Sequence, residues 1–207
     1  MRSLEKMSKK EELTRLLQER NEHPERVAEI DQKIRETFAE THAIMVLDMS
    51  GFSRLTIRYG IIHFLAMIHR MNAIVSPAVE EYGGRVVKLD ADDVFAVFPD
   101  VGKALDASID ILKRLEAVNT GLPEELDLYA SMGIGYGEVL NLEDDMFGEQ
   151  MNLASKLGED LARRSEILLT EAAHQQIAGD SREFEQIELS VFGLALTVYK
   201  VKNPAVQ

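Results

Sequence analysis

Asp48 and Asp92 are the residues of this chain best suited, by type and context, to bind cations. Asp48 ends a continuous apolar run over residues 43–47, which reads as a buried strand. Asp92 lies in the acidic stretch Asp90-Ala91-Asp92-Asp93, between two apolar segments of strand type at 85–89 and 94–98. If the first and third strands of an antiparallel sheet lie side by side, the two carboxylates converge. Carboxylates completed by water and phosphate oxygens are the setting preferred by Mg²⁺ or Mn²⁺. Two such ions about 3.5–4 Å apart activate an attacking oxygen and stabilise a leaving one. The turn after Asp48, Met49 to Ser53, runs into a helix whose free N–H groups suit phosphate. Either Asp alone could equally be a turn or cap residue.

The elements that must position these groups follow from periodicity. Leu13, Leu16 and Leu17 mark a first helix, which His23-Pro24 interrupts. Val27, Ile30, Ile34 and Phe38 form an apolar stripe on a second, which either caps the domain behind it or pairs with a partner chain. A Ser50-Gly51 turn opens a long helical stretch to about Glu81, with a break expected near Pro77. The hairpin follows, then an amphipathic helix over 101–118, a strand over 126–136, a helix over 148–161, a strand over 167–169 and a short helix over 171–177. Two late strands cover about 183–190 and 194–201. This order predicts a ferredoxin-like, palm-type α+β fold, an antiparallel sheet with helices on one face. A helical extension (1–40) precedes a domain over 41–207.

Composition narrows the function classes. With 45% hydrophobic and 29% charged residues the chain is globular in type. It has no cysteine, which excludes disulfides and thiolate metal sites and fits a cytoplasmic location. No apolar run is long enough for a membrane span or a secretory signal. A net charge of −13 argues against a nucleic-acid polymer as partner, but not against a small anion carried with a divalent ion. The five histidines show no paired ligand spacing.

Four motifs in order carry a resemblance. The run Ile44-Met45-Val46-Leu47-Asp48-Met49-Ser50-Gly51-Phe52-Ser53 resembles the opening strand and turn of the class III adenylyl and guanylyl cyclases. Gly83-Gly84-Arg85-Val86-Val87-Lys88-Leu89-Asp90-Ala91-Asp92 resembles that family's metal-binding hairpin. Met132-Gly133-Ile134-Gly135-Tyr136-Gly137-Glu138-Val139 and Phe147-Gly148-Glu149-Gln150-Met151-Asn152-Leu153-Ala154-Ser155-Lys156-Leu157 are similar to its later strand and helix. The resemblance implies that Asp48, Met49 and Asp92 hold two ions (Mg²⁺ or Mn²⁺), and that Gly51, Phe52 and Ser53 meet the phosphates. It implies purine contacts from Lys88 and Asp145, a Lys/Asp pair of adenine type because Asp accepts from the exocyclic amine. Asn152 would orient the ribose and Lys156 would act on the phosphates. The implied substrate is ATP before GTP, and the implied assembly a homodimer, with metals on one chain and base contacts on the other.

Three departures stand out. Lys156 replaces the usual arginine, keeping the charge but losing the planar fork. Phe192 stands where relatives often have a phosphate-binding lysine. The 139–147 segment is shorter than the family's arm, which contributes to dimer contacts. These departures open an alternative, a cyclase-like module that binds nucleotide or a partner protein without turnover. A diguanylate-cyclase reading fits less well, because the hairpin reads Asp90-Ala91-Asp92-Asp93-Val94.

Overall fold

A computed structural model describes residues 7–50, 52–191 and 194–204, so Gly51 and Phe192-Gly193 lie outside the described residues. For residues 52–55 it describes the backbone alone. Helices α1 (Lys9–Glu22) and α2 (Val27–Phe38) come first, followed by β1 (Ala39–Met49), α3 (Phe52–Tyr59) and α4 (Ile61–Glu81). The hairpin β2 (Arg85–Asp90) and β3 (Asp93–Phe98) leads to α5 (Val101–Asn119) and β4 (Ala130–Asn141). Next come β5 (Met146–Phe147), α6 (Glu149–Ser155) and a π-helical segment, Lys156–Leu161. β6 (Ile167–Thr170), α7 (Glu171–Gln176), β7 (Phe184–Val191) and β8 (Leu194–Val201) complete the chain.

The strand order β2-β3-β1-β4-β6-β8-β7 contains a ferredoxin-like core, β1–α4–β2–β3–α5–β4, with β1 between β3 and β4. All pairings are antiparallel except β4 with β6. β1 reads as an unbroken apolar run because both its faces are covered. Met45 and Leu47 pack with α4 and α5 residues such as Met71 and Leu105, while Ile44 and Val46 pack on the opposite face with Phe95, Val97 and Ala154 of α6.

Helices therefore cover both faces, where the sequence pattern suggests one. The reason lies in β4. Gly133, Gly135 and Gly137 point toward α6, and a Cβ on Gly133 would stand 2.0 Å from the Ala154 carbonyl oxygen. A Cβ on Gly158 would in turn stand 2.7 Å from the Val46 carbonyl oxygen. Backbone lies on backbone here, and only glycine permits it.

The helical break expected at Pro77 falls instead at Gly60, which adopts φ +85° between α3 and α4, a conformation that suits glycine. Pro77 sits inside α4. Burial of Met71, Val75, Ala78 and Val79 on either side of it offsets the lost backbone hydrogen bond, a cost of about 3 kcal/mol.

α1 starts at a capping box in which Ser8 and Glu11 satisfy each other's backbone N–H. The α1–α2 pair buries Leu13, Leu16, Ile30, Ile34 and Phe38 against Leu140 and Leu142, whereas Leu17 faces solvent. Among the described residues no helix is long and apolar enough to cross a membrane.

Candidate functional site

β1 and β3 deliver Asp48 and Asp92 to one end of the sheet. Asp48 pairs with Asp93 in the β1–β3 register, and the Met49 N–H donates to the Asp92 carbonyl at 3.2 Å, joining the strand end to the hairpin tip. Ala91, at that tip, adopts φ +51°, a left-handed conformation more costly for alanine than for glycine.

The electrostatics of this corner are unusual. Burial, then the charges of Asp92, Glu159 and Asp160, push the Asp48 carboxyl up to about 6, although the Ser131 side chain hydrogen-bonds to it. Burial, then Glu159, Asp48, Asp92 and Asp90, push Asp93 up to about 7. Burial likewise raises Asp92 and Glu159. One Asp93 carboxylate oxygen is buried without a hydrogen-bond partner among the described residues. Half-buried carboxylates that repel one another suit a cation, which would remove the repulsion. No three or more acidic, histidine or cysteine side chains among the described residues form a complete cage. Asp48 and Asp92 would thus need water and substrate oxygens as further ligands.

Each raised carboxyl keeps its proton to higher pH in the folded chain than in the unfolded one. Between about pH 4 and 7 the folded state then binds more protons, and stability falls as pH rises. Because these groups are partly solvated, the loss between pH 5 and 8 should be on the order of 1–2 kcal/mol. Thermal melts in chelator should show a lower midpoint at pH 8 than at pH 5, and Mn²⁺ should restore more at pH 8. A flat profile would contradict the crowding.

Lys88 lies on β2 and Asp145 in the turn before β5, near enough for the charge of Asp145 to act on Lys88. The Lys88 ammonium lies 2.9 Å from Asp90, and this bond first, then the charge of Asp145, raises its pKa. Asp145 is placed by a tight turn that links β4 to β5, so the short 139–147 segment closes as a hairpin. Asn152 is exposed on α6, and Lys156, one turn later, is ion-paired with Asp160. Phe52 and Ser53 form the first turn of α3; Gly51 and Phe192 are outside the described residues.

The sequence singles out neither Glu159 nor Asp160, and it shows Asp93 only as part of the acidic stretch of the hairpin. Strand alternation could have placed Asp93, because it shares the face of Phe95 and Val97 opposite Ile44 and Val46. The other two sit on a π-helical turn, which shifts side chains off the α-helical period.

No family model matches the chain. By sequence it is 26% identical over 137 residues to a protein named putative adenylate cyclase 3 from Rhizobium meliloti, covering 66% of this chain and 23% of that protein. It is 28% identical over 135 residues to an adenylate cyclase of Streptomyces coelicolor, covering 65% of this chain and 34% of that one. The chain thus spans about a quarter to a third of the length of these relatives. The adenylate/guanylate cyclase/hydrolase of Silicibacter pomeroyi superposes with a TM-score of 0.67 at 23% identity, covering 79% of this chain and 96% of that one.

Proposed function

We propose that the chain, which is similar to class III nucleotidyl cyclases in fold and in sequence, converts ATP to cyclic AMP and pyrophosphate as a homodimer. The observation that carries the reading is the meeting of Asp48 with the Asp92 hairpin at one end of the sheet.

The ribose 3′-oxygen attacks the α-phosphorus, forming the O3′–P bond as the bond to the bridging oxygen breaks. The 3′-hydroxyl proton passes to water, and pyrophosphate leaves with the electron pair of the broken bond. Mg²⁺ or Mn²⁺ held by Asp48, Asp92 and Met49 would lower the pKa of the 3′-hydroxyl and neutralise the polyphosphate. Asp145 accepts from the adenine exocyclic amine, and Lys88 donates to a ring nitrogen. Asn152 orients the ribose. Lys156 supplies positive charge to the phosphates, and the backbone N–H groups at the start of α3, with Gly51, Phe52 and Ser53, receive them. The chain contributes positioning and charge rather than covalent chemistry.

Purified protein with Mn²⁺ should form cyclic AMP faster than cyclic GMP. Lys156→Arg should raise the rate several-fold, because guanidinium engages phosphate in two hydrogen bonds. An unchanged rate would mark Lys156 as a surface lysine.

The Lys156–Asp160 ion pair favours one second reading, a module that binds ATP without turnover. Calorimetry separates the two: tight ATP binding with no product supports the module, and robust turnover removes it.

A further inference from the structure

The hairpin that carries Asp145 has an unexpected tip. The Leu142 N–H donates to the Asp145 carbonyl at 2.9 Å, closing the turn, and Glu143 within it adopts φ +80°. An apolar residue at a hairpin tip normally meets water, yet Leu142 is only 4% exposed. It packs in one buried cluster with Leu13 and Leu16 of α1 and Ile30, Ile34 and Phe38 of α2. Polar contacts fix the same turn from three sides. Asn141 is buried and donates to Glu40 at 2.7 Å, while Lys9 of α1 donates to the Asn141 carbonyl at 3.4 Å. Arg85 of β2 donates to the Glu143 carbonyl at 3.0 Å. On the far side of Asp145, Met146 is anchored in the sheet-face core.

We infer that the N-terminal helix pair is part of the purine-recognition machinery, with Leu142 as the positioning residue that holds Asp145 through the α1–α2 clamp. The inference rests on the proposed role of Asp145 as a base contact. Leu142 touches no substrate and acts through the turn hydrogen bond it shares with Asp145. The helices thereby set how tightly the chain holds ATP and how well it rejects GTP. A displacement of α1 or α2 would reach Asp145 through this hairpin, separately from the direct continuation of α2 into β1.

The test is titration calorimetry of ATP and GTP with Mn²⁺ on the full chain. Each variant is first checked by circular dichroism and thermal melting to be folded at the assay temperature. Leu142→Ala is expected to weaken ATP binding roughly tenfold and to narrow the preference over GTP. Leu13→Ala, made on a separate element, should shift both in the same direction. Leu142→Met refills the space and should restore wild-type binding, and Leu17→Ala on the exposed face of α1 should change nothing. In an Asp145→Ala background Leu142→Ala should cost nothing further, because its effect runs through that carboxylate. Additive losses in the double variant, or unchanged nucleotide binding in the folded single variants, would overturn the inference. If Leu142→Ala does not fold, Leu13→Ala decides by the same criteria. If Asp145→Ala alone binds ATP as wild type does, the base-contact reading itself fails, an outcome distinct from a failed clamp.

Discussion

Asp48→Asn is expected to lower cyclic AMP formation by about a thousandfold or more while making the metal-free protein more stable. The two effects have one cause. The carboxylate sits half-buried among the charges of Asp92, Glu159 and Asp160, so the folded chain pays to keep it ionised. Asparagine has the same shape and can still accept from Ser131, but it carries no charge. At pH 8 the substitution should therefore stabilise the metal-free fold by roughly 1 kcal/mol, raising the melting midpoint by about 2–4 °C. Catalysis moves the other way, because a neutral amide is a poor ligand for Mg²⁺ or Mn²⁺, and charge stabilisation worth several kcal/mol is lost. Melting curves in chelator and a cyclase assay on the same preparation read both. A variant that loses activity and stability together would point to a structural role for Asp48 instead.

Gly133→Ala is expected to be among the most damaging single-methyl changes in the chain. The added Cβ would meet the Ala154 carbonyl oxygen at 2.0 Å and the Gly158 nitrogen at 2.7 Å, both backbone atoms of the helical segment that carries Asn152 and Lys156. Neither can rotate aside as a side chain would, so α6 must lift from the sheet. Such overpacking should cost about 3 kcal/mol, a fall in melting midpoint of roughly 6–12 °C for a domain of this size. Nucleotide binding should weaken as well, because the proposed ribose and phosphate contacts move with the helix. Gly179→Ala is the control. No atom lies within 4 Å of its Cβ position, and its midpoint should stay within about 2 °C of wild type. If Gly133→Ala melts like Gly179→Ala, the close backbone packing is wrong.

What could be read from the sequence was local, and what escaped was relational. β1 announced itself because a central strand covered on both faces reads as a continuous apolar run. The hairpin was legible from two apolar segments around an acidic tip. Alternation puts Asp93 on the face of Phe95 and Val97, but its pairing with Asp48 is a property of the β1–β3 register, which the sequence does not display. Glu159 and Asp160 escaped because a π-helical turn breaks the period used to assign helix faces. Pro77 misled for the opposite reason: its local preference to break a helix is overridden by apolar packing on either side, and Gly60 supplies the break. The short 139–147 segment showed in the sequence as a missing arm. Only the fold shows that its tip is buried in cis by α1 and α2.

Metal-dependent turnover at Asp48 is measured by converting ATP with and without Mn²⁺, comparing wild type with Asp48→Asn at equal, high protein concentration and detecting cyclic AMP and pyrophosphate together. Wild type should give equimolar products only when the divalent ion is present, and the variant none above background. Equal output from the two proteins, or no product from either at any metal concentration, would contradict that expectation.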